Sequence, residues 1–222
     1  MRTRTSRRSS MIGARVPWVA VALAVLATAP RAQVLDRVLA IVNGEVVTSL
    51  DVRAAVVFQL VEQQRIAAGE PAVLEALIDR QLMIADASRY SVREPEEAEI
   101  ERGVQTIRSR FPSPQAFETA AATTGMTEGR LRTFVGDSIR LDLHVEQRFA
   151  AAAQPTDDEV TRYYREHSSE LARGGVTPPL DQVRDAVTAG ATAERRAGLV
   201  SEWLQRLRQR AEIRRLGDTI RR

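Results

Sequence analysis

Two histidines, no cysteine and no recognisable metal-ligand spacing give this chain few of the groups that usually carry catalysis. His144 has Asp142 and Glu146 two positions to either side. Neighbours at that spacing point to different faces of a helix, so neither carboxylate orients the imidazole as an acid–base partner. His167 is equally isolated, and both histidines read as surface or half-buried structural residues. Glu96, Glu97 and Glu99 cluster in the first turn of a helix opened by Pro95. Acids there match the positive helix start, and glutamates without histidine or aspartate at ligand spacing are a poor metal site. A phosphate-binding loop, a dinucleotide glycine pattern, zinc spacing and an internal repeat are all lacking from the sequence. With no cysteine there are no disulfides, no thiol chemistry and no cysteine-linked lipid anchor. The expectation is a protein that is not an enzyme, with no catalytic residues, no cofactor and no metal.

The elements that position these side chains are mainly helical. Val38, Leu39, Ile41 and Val42 form an apolar run of strand length, and Asn43-Gly44 supplies two residues suited to a type I′ hairpin turn. Val46-Val47 begins a return strand. Thr48 with Asp51 forms a capping-box-like start to a helix whose apolar face is drawn from Val52, Ala55, Val56, Leu60 and Ile66. A helix from Pro71 to about Arg89 carries Val73, Leu74, Leu77, Ile78, Leu82 and Ala85 on one broad face. The helix after Pro95 has an Ile100, Val104, Ile107 stripe. Ser113-Pro114 opens a short helix ended by Gly125, and Thr127 caps a longer one reaching Phe149 with Leu131, Phe134, Val135 and Ile139 inward. Ala150 to Pro155 reads as a linker. Thr156 and Glu159 form a capping box for a helix with Val160, Tyr163 and Tyr164. Helical text resumes at Pro179, is broken at Gly190, and continues as a second helix bearing Leu199, Val200, Trp203, Leu204 and Leu207.

Residues 1–32 read as an export signal: five arginines through Arg15, an apolar run from Val16 to Ala29, and small residues at Ala27, Ala29 and Ala32. The run is about 14 residues where a membrane-spanning helix needs roughly 20, so a cleaved signal is favoured over an uncleaved inner-membrane anchor. Met11 to Ala32 makes a complete signal by itself. The formal charge of +3 becomes −3 once the six arginines of 1–32 are set aside. Such a balance argues against non-specific nucleic-acid binding, which needs a basic face.

The phrase from Leu35 to Val52, "LDRVLAIVNGEVVTSLDV", lying after a signal-like segment and ahead of a helical region, resembles the opening of SurA-type periplasmic chaperones and related parvulin-containing foldases. The run "DDEVTRYYREHSSEL" resembles the helix that leads into their parvulin prolyl-isomerase domain. "DQVRDAV" and "WLQRLRQRAEI" are similar to the segment that follows it and returns to complete the N-terminal domain. Between Leu171 and Pro179, however, only a short loop remains where that catalytic domain would sit.

The resemblance implies a mainly α fold: a helical chaperone domain over 33–171, a loop at 172–178, and helices and a strand at 179–222 that close the domain. Ala211 to Leu216 is then a third strand beside the hairpin. The tail from 193 on is net basic and the body acidic, so opposite charge favours docking, with Trp203 supplying most of the attraction. A basic amphipathic helix lying on a membrane is the rival reading and is not favoured. The implied partners are unfolded or partly folded exported polypeptides, held in the periplasm without ATP; the alternative is a dedicated envelope scaffold binding one folded partner. Phe117, Met126 and Phe134 are the candidate client-binding residues, because methionine and aromatics adapt to varied apolar partners. At helical spacing the default reading of the same residues is core.

Overall fold

A computed structural model describes residues 36–90, 92–172 and 176–216. The export signal expected at 1–32 and residues 173–175 of the expected loop lie outside these. The hairpin forms as the sequence dictates. β1 (Val38–Val42) and β2 (Glu45–Thr48) pair antiparallel through Asn43 and Gly44, both at positive φ (51° and 93°), as a type I′ turn requires. β3 (Ile213–Arg215) pairs with the other side of β1, giving the order β2-β1-β3. The closing strand expected at 211–216 is therefore present, and it converts a marginal two-stranded hairpin into a sheet backed by helices.

Helix α1 (Ser49–Val57) starts at the expected box: Asp51 N–H donates to Thr48 Oγ1, and Thr48 N–H to Asp51 Oδ2 at 2.8 Å. It does not continue to Ile66. Phe58 turns fully into the core, Gln59 adopts the left-handed region (φ 51°), and a separate short α2 (Gln63–Ala67) follows. The stop is made from outside the segment. Arg110 donates from Nη1 to the carbonyls of Phe58 (2.9 Å) and Gln59 (2.7 Å), satisfying the helix's C-terminal acceptors. Val56, expected inward, is exposed, and Ala54 is buried in its place.

The remaining elements follow the punctuation. They are α3 (Glu70–Ala87), α4 (Glu97–Arg108), α5 (Pro114–Thr124), α6 (Glu128–Phe149), α7 (Asp157–Glu166), the single turn α8 (Ser168–Leu171) and α9 (Leu180–Arg210). Ser113, Thr127 and Thr156 cap α5, α6 and α7 through their hydroxyls, and Gly125 ends α5 at φ 65°. Ala153, in the expected linker, is fully buried. One core joins Phe58 to Val104, Ile107, Leu131 and Val135 of α4 and α6. A second seats the sheet on Ile78 and Leu82 of α3.

The expected break at Gly190 is absent: α9 runs unbroken through it. The glycine serves packing instead, because a Cβ there would overlap the Tyr163 ring. Its lost side chain lets α7 and α9 approach closely. Trp203 is 2% exposed. Its aromatic neighbours, His144 at 5.4 Å and Phe149 at 5.9 Å, come from α6, and its indole N–H reaches Asp86 of α3. The tail is also pinned by charge in a specific way. Arg208 donates from Nε to Asp79 (2.5 Å) and from Nη2 to Glu75 (2.9 Å), while Arg215 donates to both oxygens of Glu75 (2.8 and 3.1 Å). Those bonds from Arg215 and Arg208 hold the Glu75 carboxyl below its usual pKa, whereas burial pushes Asp79 up despite Arg208.

Candidate functional site

Strand β2, helix α1, helix α3 and helix α6 meet around a cleft of about 590 Å³. Its apolar floor comes from Val47 of β2, Ala54 and Ala55 of α1 and Leu77 of α3, with Leu60 and Met126 added from the turns that follow α1 and α5. The rim is mixed. Val46, 49% exposed, stands on the strand side, with Arg80 on α3 and Phe134 on α6 opposite. Asp51, Arg80, Arg130 and Asp137 stand beside the apolar floor, and a cavity of this size and mixed lining can take a short stretch of polypeptide.

Two of the three residues singled out in the sequence meet here. Met126, nearly buried, forms part of the floor, and Phe134, half-buried, forms a wall. Phe134 also borders a second hollow of about 330 Å³, lined by Gln59, Gly103, Ile107 and Ile139 on its other side. Phe117 lies elsewhere. It stacks edge-on against Phe58 (5.6 Å, 86°) and Phe111 (5.4 Å, 89°), within the core between α1, α4 and α6. The structure therefore places Phe117 among packing aromatics and away from the cleft.

The polar groups of the rim are held in defined positions. Arg130 donates to Asp51 at 2.5 Å and to the Gly125 carbonyl at 3.0 Å, tying the start of α1 to the end of α5. Arg140 bridges Asp137 (2.9 Å) and Glu94 (2.7 Å). Arg80 lies flat against Phe134, its guanidinium carbon 3.8 Å from the ring centre, and donates to the Phe134 carbonyl at 2.8 Å. Burial lowers the pKa of Arg80, and the fields of Asp137 and Asp142 oppose that. Burial likewise raises Asp142, with Arg80 as the opposing charge. Sequence reasoning missed Val46, Leu77 and Arg80. Val46 and Leu77 were legible only as apolar positions, on a return strand and on the broad face of α3, and Arg80 left no signal.

The histidines take different places. His167 is half-buried, stacked on Tyr163 at 4.0 Å and hydrogen-bonded to Glu170. His144 is not a surface or half-buried residue. It is 3% exposed, with Tyr90 and Trp203 against its ring, and its Nε2 has no hydrogen-bond partner among the described residues. The acidic first turn of α4 binds arginine: Arg93 bridges Glu99 at 2.7 and 2.8 Å, which with the Glu96 N–H brings the Glu99 carboxyl down to about 2. Among the described residues no cluster of acids, histidines or cysteines has the arrangement to hold a metal ion.

No family model matches the chain. Two curated proteins named "Chaperone SurA", from Bordetella pertussis (strain Tohama I) and Bordetella bronchiseptica (strain RB50), are each 27% identical to it over 157 residues. The match covers 67% of this chain but only 30% of either relative's own length. At that level the chain is distantly similar to the SurA chaperones, the family that its Leu35–Val52 phrase resembles.

Proposed function

We propose that this chain is an ATP-independent chaperone-like module that holds unfolded or partly folded exported polypeptides in the cell envelope. The observation that carries the reading is the open cleft with its aliphatic floor, a methionine and a stacked phenylalanine. Such a surface binds apolar segments by burial and asks little of their sequence. The distant similarity to proteins named Chaperone SurA supports the same general role. Periplasmic placement rests on the signal-like residues 1–32. Among the described residues no helix is long and apolar enough to cross a membrane.

The module acts by binding, without prolyl isomerisation. The segment joining α8 to α9 is too short for a catalytic domain, and its α9 end is fastened back to α7 and α8: Tyr164 donates to the Pro178 carbonyl at 2.7 Å and Thr177 to that of Ser168 at 3.1 Å. The test is dilution of several unrelated denatured proteins into the chain with no nucleotide, followed by light scattering. Suppression of aggregation at near-stoichiometric ratios supports the reading, and no suppression of any of them refutes it. In a protease-coupled peptide assay the same preparation should leave proline isomerisation at its uncatalysed rate, tens to hundreds of seconds at ~25 °C.

A further inference from the structure

Among the described residues, the sheet leaves one backbone donor and one acceptor unused beside the cleft. Toward β3, Asn43 N–H donates to the Glu212 carbonyl at 2.9 Å, and Leu216 N–H to that of Leu39 at 2.8 Å. Bonding residues alternate along an antiparallel ladder, so Ile41, which lies between them and opposite Arg214, also turns its N–H and C=O to β3. Val46 stands opposite Ile41 on the other side. Its own N–H and C=O therefore point away from β1, off the edge of the sheet, where the order β2-β1-β3 places no further strand among the described residues. Val46 and Val47 send their side chains to opposite faces, yet both line the cleft. The cleft thus follows the free edge rather than one face of the sheet.

The second feature is Arg80. Of the two acids lining the cleft, Asp51 is taken by Arg130 and Asp137 by Arg140. Arg80 has no carboxylate within ion-pair distance among the described residues. Among the described residues only one of its N–H groups is used, on the Phe134 carbonyl. Its nitrogens are not among the side-chain atoms that are buried without a partner, which are His144 Nε2 and Arg196 Nε. Arg80 lines the cleft, with the fields of Asp137 and Asp142 upon it, and its remaining N–H groups have no hydrogen-bond partner among the described residues, in the planar array that suits a carboxylate.

We propose that the cleft takes its client as an extended strand laid along β2, hydrogen-bonded to the backbone of Val46, with apolar side chains on the floor and an internal aspartate or glutamate on Arg80. This rests on the holding function proposed above and adds the conformation and charge of the bound segment. Edge addition supplies affinity through the main chain and leaves selection to side-chain pockets. Charge complementarity at the one unpaired cation of the lining sets the preference for an acid.

The probe is a fluorescein-labelled, C-terminally amidated heptapeptide with a central glutamate flanked by valine and leucine. It is compared with a glutamine twin, a twin N-methylated on alternate amides, and a glutamine twin with a free C-terminus. Binding to the whole chain is read by fluorescence anisotropy. The glutamate peptide should bind about fivefold more tightly than its glutamine twin at low salt, and N-methylation should weaken binding by at least about fivefold. Arg80→Gln should abolish the preference for glutamate, and Arg80→Lys should keep part of it. Equal affinity of the glutamate and glutamine twins for the unaltered protein overturns the proposal, and so does indifference to N-methylation. If the free C-terminus restores full affinity to the glutamine twin, Arg80 reads chain ends and the assignment to an internal acid is wrong. Any of these failures with aggregation suppression intact removes this inference alone, whereas loss of suppression removes the holding function beneath it.

Discussion

The indole Nε1 of Trp203 donates a hydrogen bond to Oδ2 of Asp86 at 3.0 Å, joining residues 117 positions apart. The contact ties the last third of α9 to the end of α3, and His144 and Phe149 of α6 complete the seat. Trp203→Ala should cost ~3–5 kcal/mol, the range for truncating a buried large aromatic. That is a large share of the ~5–15 kcal/mol that holds a typical domain. Trp203→Phe keeps most of the packing but leaves Asp86 without its donor, and should cost less. Urea denaturation of the three proteins checks the order, and an unchanged midpoint in Trp203→Ala is incompatible with a docked α9.

Glycines 190 and 198 lie on the same helix and should respond in opposite directions. A Cβ at Gly190 meets the Tyr163 ring, so Gly190→Ala should destabilise by ~1–3 kcal/mol through overpacking of α7 on α9. A Cβ at Gly198 meets nothing within 4 Å, so Gly198→Ala should stabilise by ~0.5–1 kcal/mol through helix propensity. Thermal melts of the two variants are sufficient.

These glycines also show what the sequence could and could not disclose. Asn43-Gly44, Thr48, Ser113, Gly125, Thr127 and Thr156 act within a few residues of themselves, and each turn or cap appears where local chemistry puts it. Gly190 reads locally as a breaker. Its true partner is a tyrosine on another helix, a relationship that spacing does not record. The early end of α1 is hidden for the same reason, since Arg110 supplies its cap from the distant start of the α4–α5 connection. For the candidate site, Met126 and Phe134 were legible as adaptable apolar residues, while Phe117 has the same character and packs with Phe58 and Phe111. Arg80 carried no sequence signal at all, because an arginine becomes notable only when its neighbours are seen to leave it unpaired.

Stability should fall on mild acidification because of His144. Burial lowers its pKa, the nearby Arg148 adds to that, and Asp86 opposes it. Tyr90 and Trp203, against the ring, offer it no charge. A histidine whose folded pKa lies below its unfolded value takes up its proton more readily in the unfolded chain. Its support for the fold is full above about pH 6.5 and declines as the pH drops through that value. Urea midpoints at pH 8 and pH 5.5 should show a larger loss in the unaltered protein than in His144→Leu, which cannot titrate there. Equal losses would remove His144 as the cause.

Two substitutions separate cleft from core. Phe117→Ala breaks the Phe58–Phe111–Phe117 cluster and, because Phe117 is only half-buried, should cost ~1–3 kcal/mol, while the folded fraction keeps its capacity to hold clients. Val46→Ser removes an exposed apolar side chain from the cleft rim. It should change stability by no more than about 0.5 kcal/mol yet weaken suppression of aggregation. Denaturation midpoints and light scattering, measured on the same preparations, distinguish the two effects.

The central claim is that unfolded chains are held in the cleft between β2, α1, α3 and α6. A photo-crosslinking amino acid placed at Val46, on the cleft rim, tests it most directly against one at Val176, which is 70% exposed but outside the cleft lining. With a mixture of unrelated denatured proteins, the Val46 position should give adducts with several of them, and the Val176 position few or none. Equal labelling from both positions, or adducts from Val46 with a single folded partner only, would contradict the account.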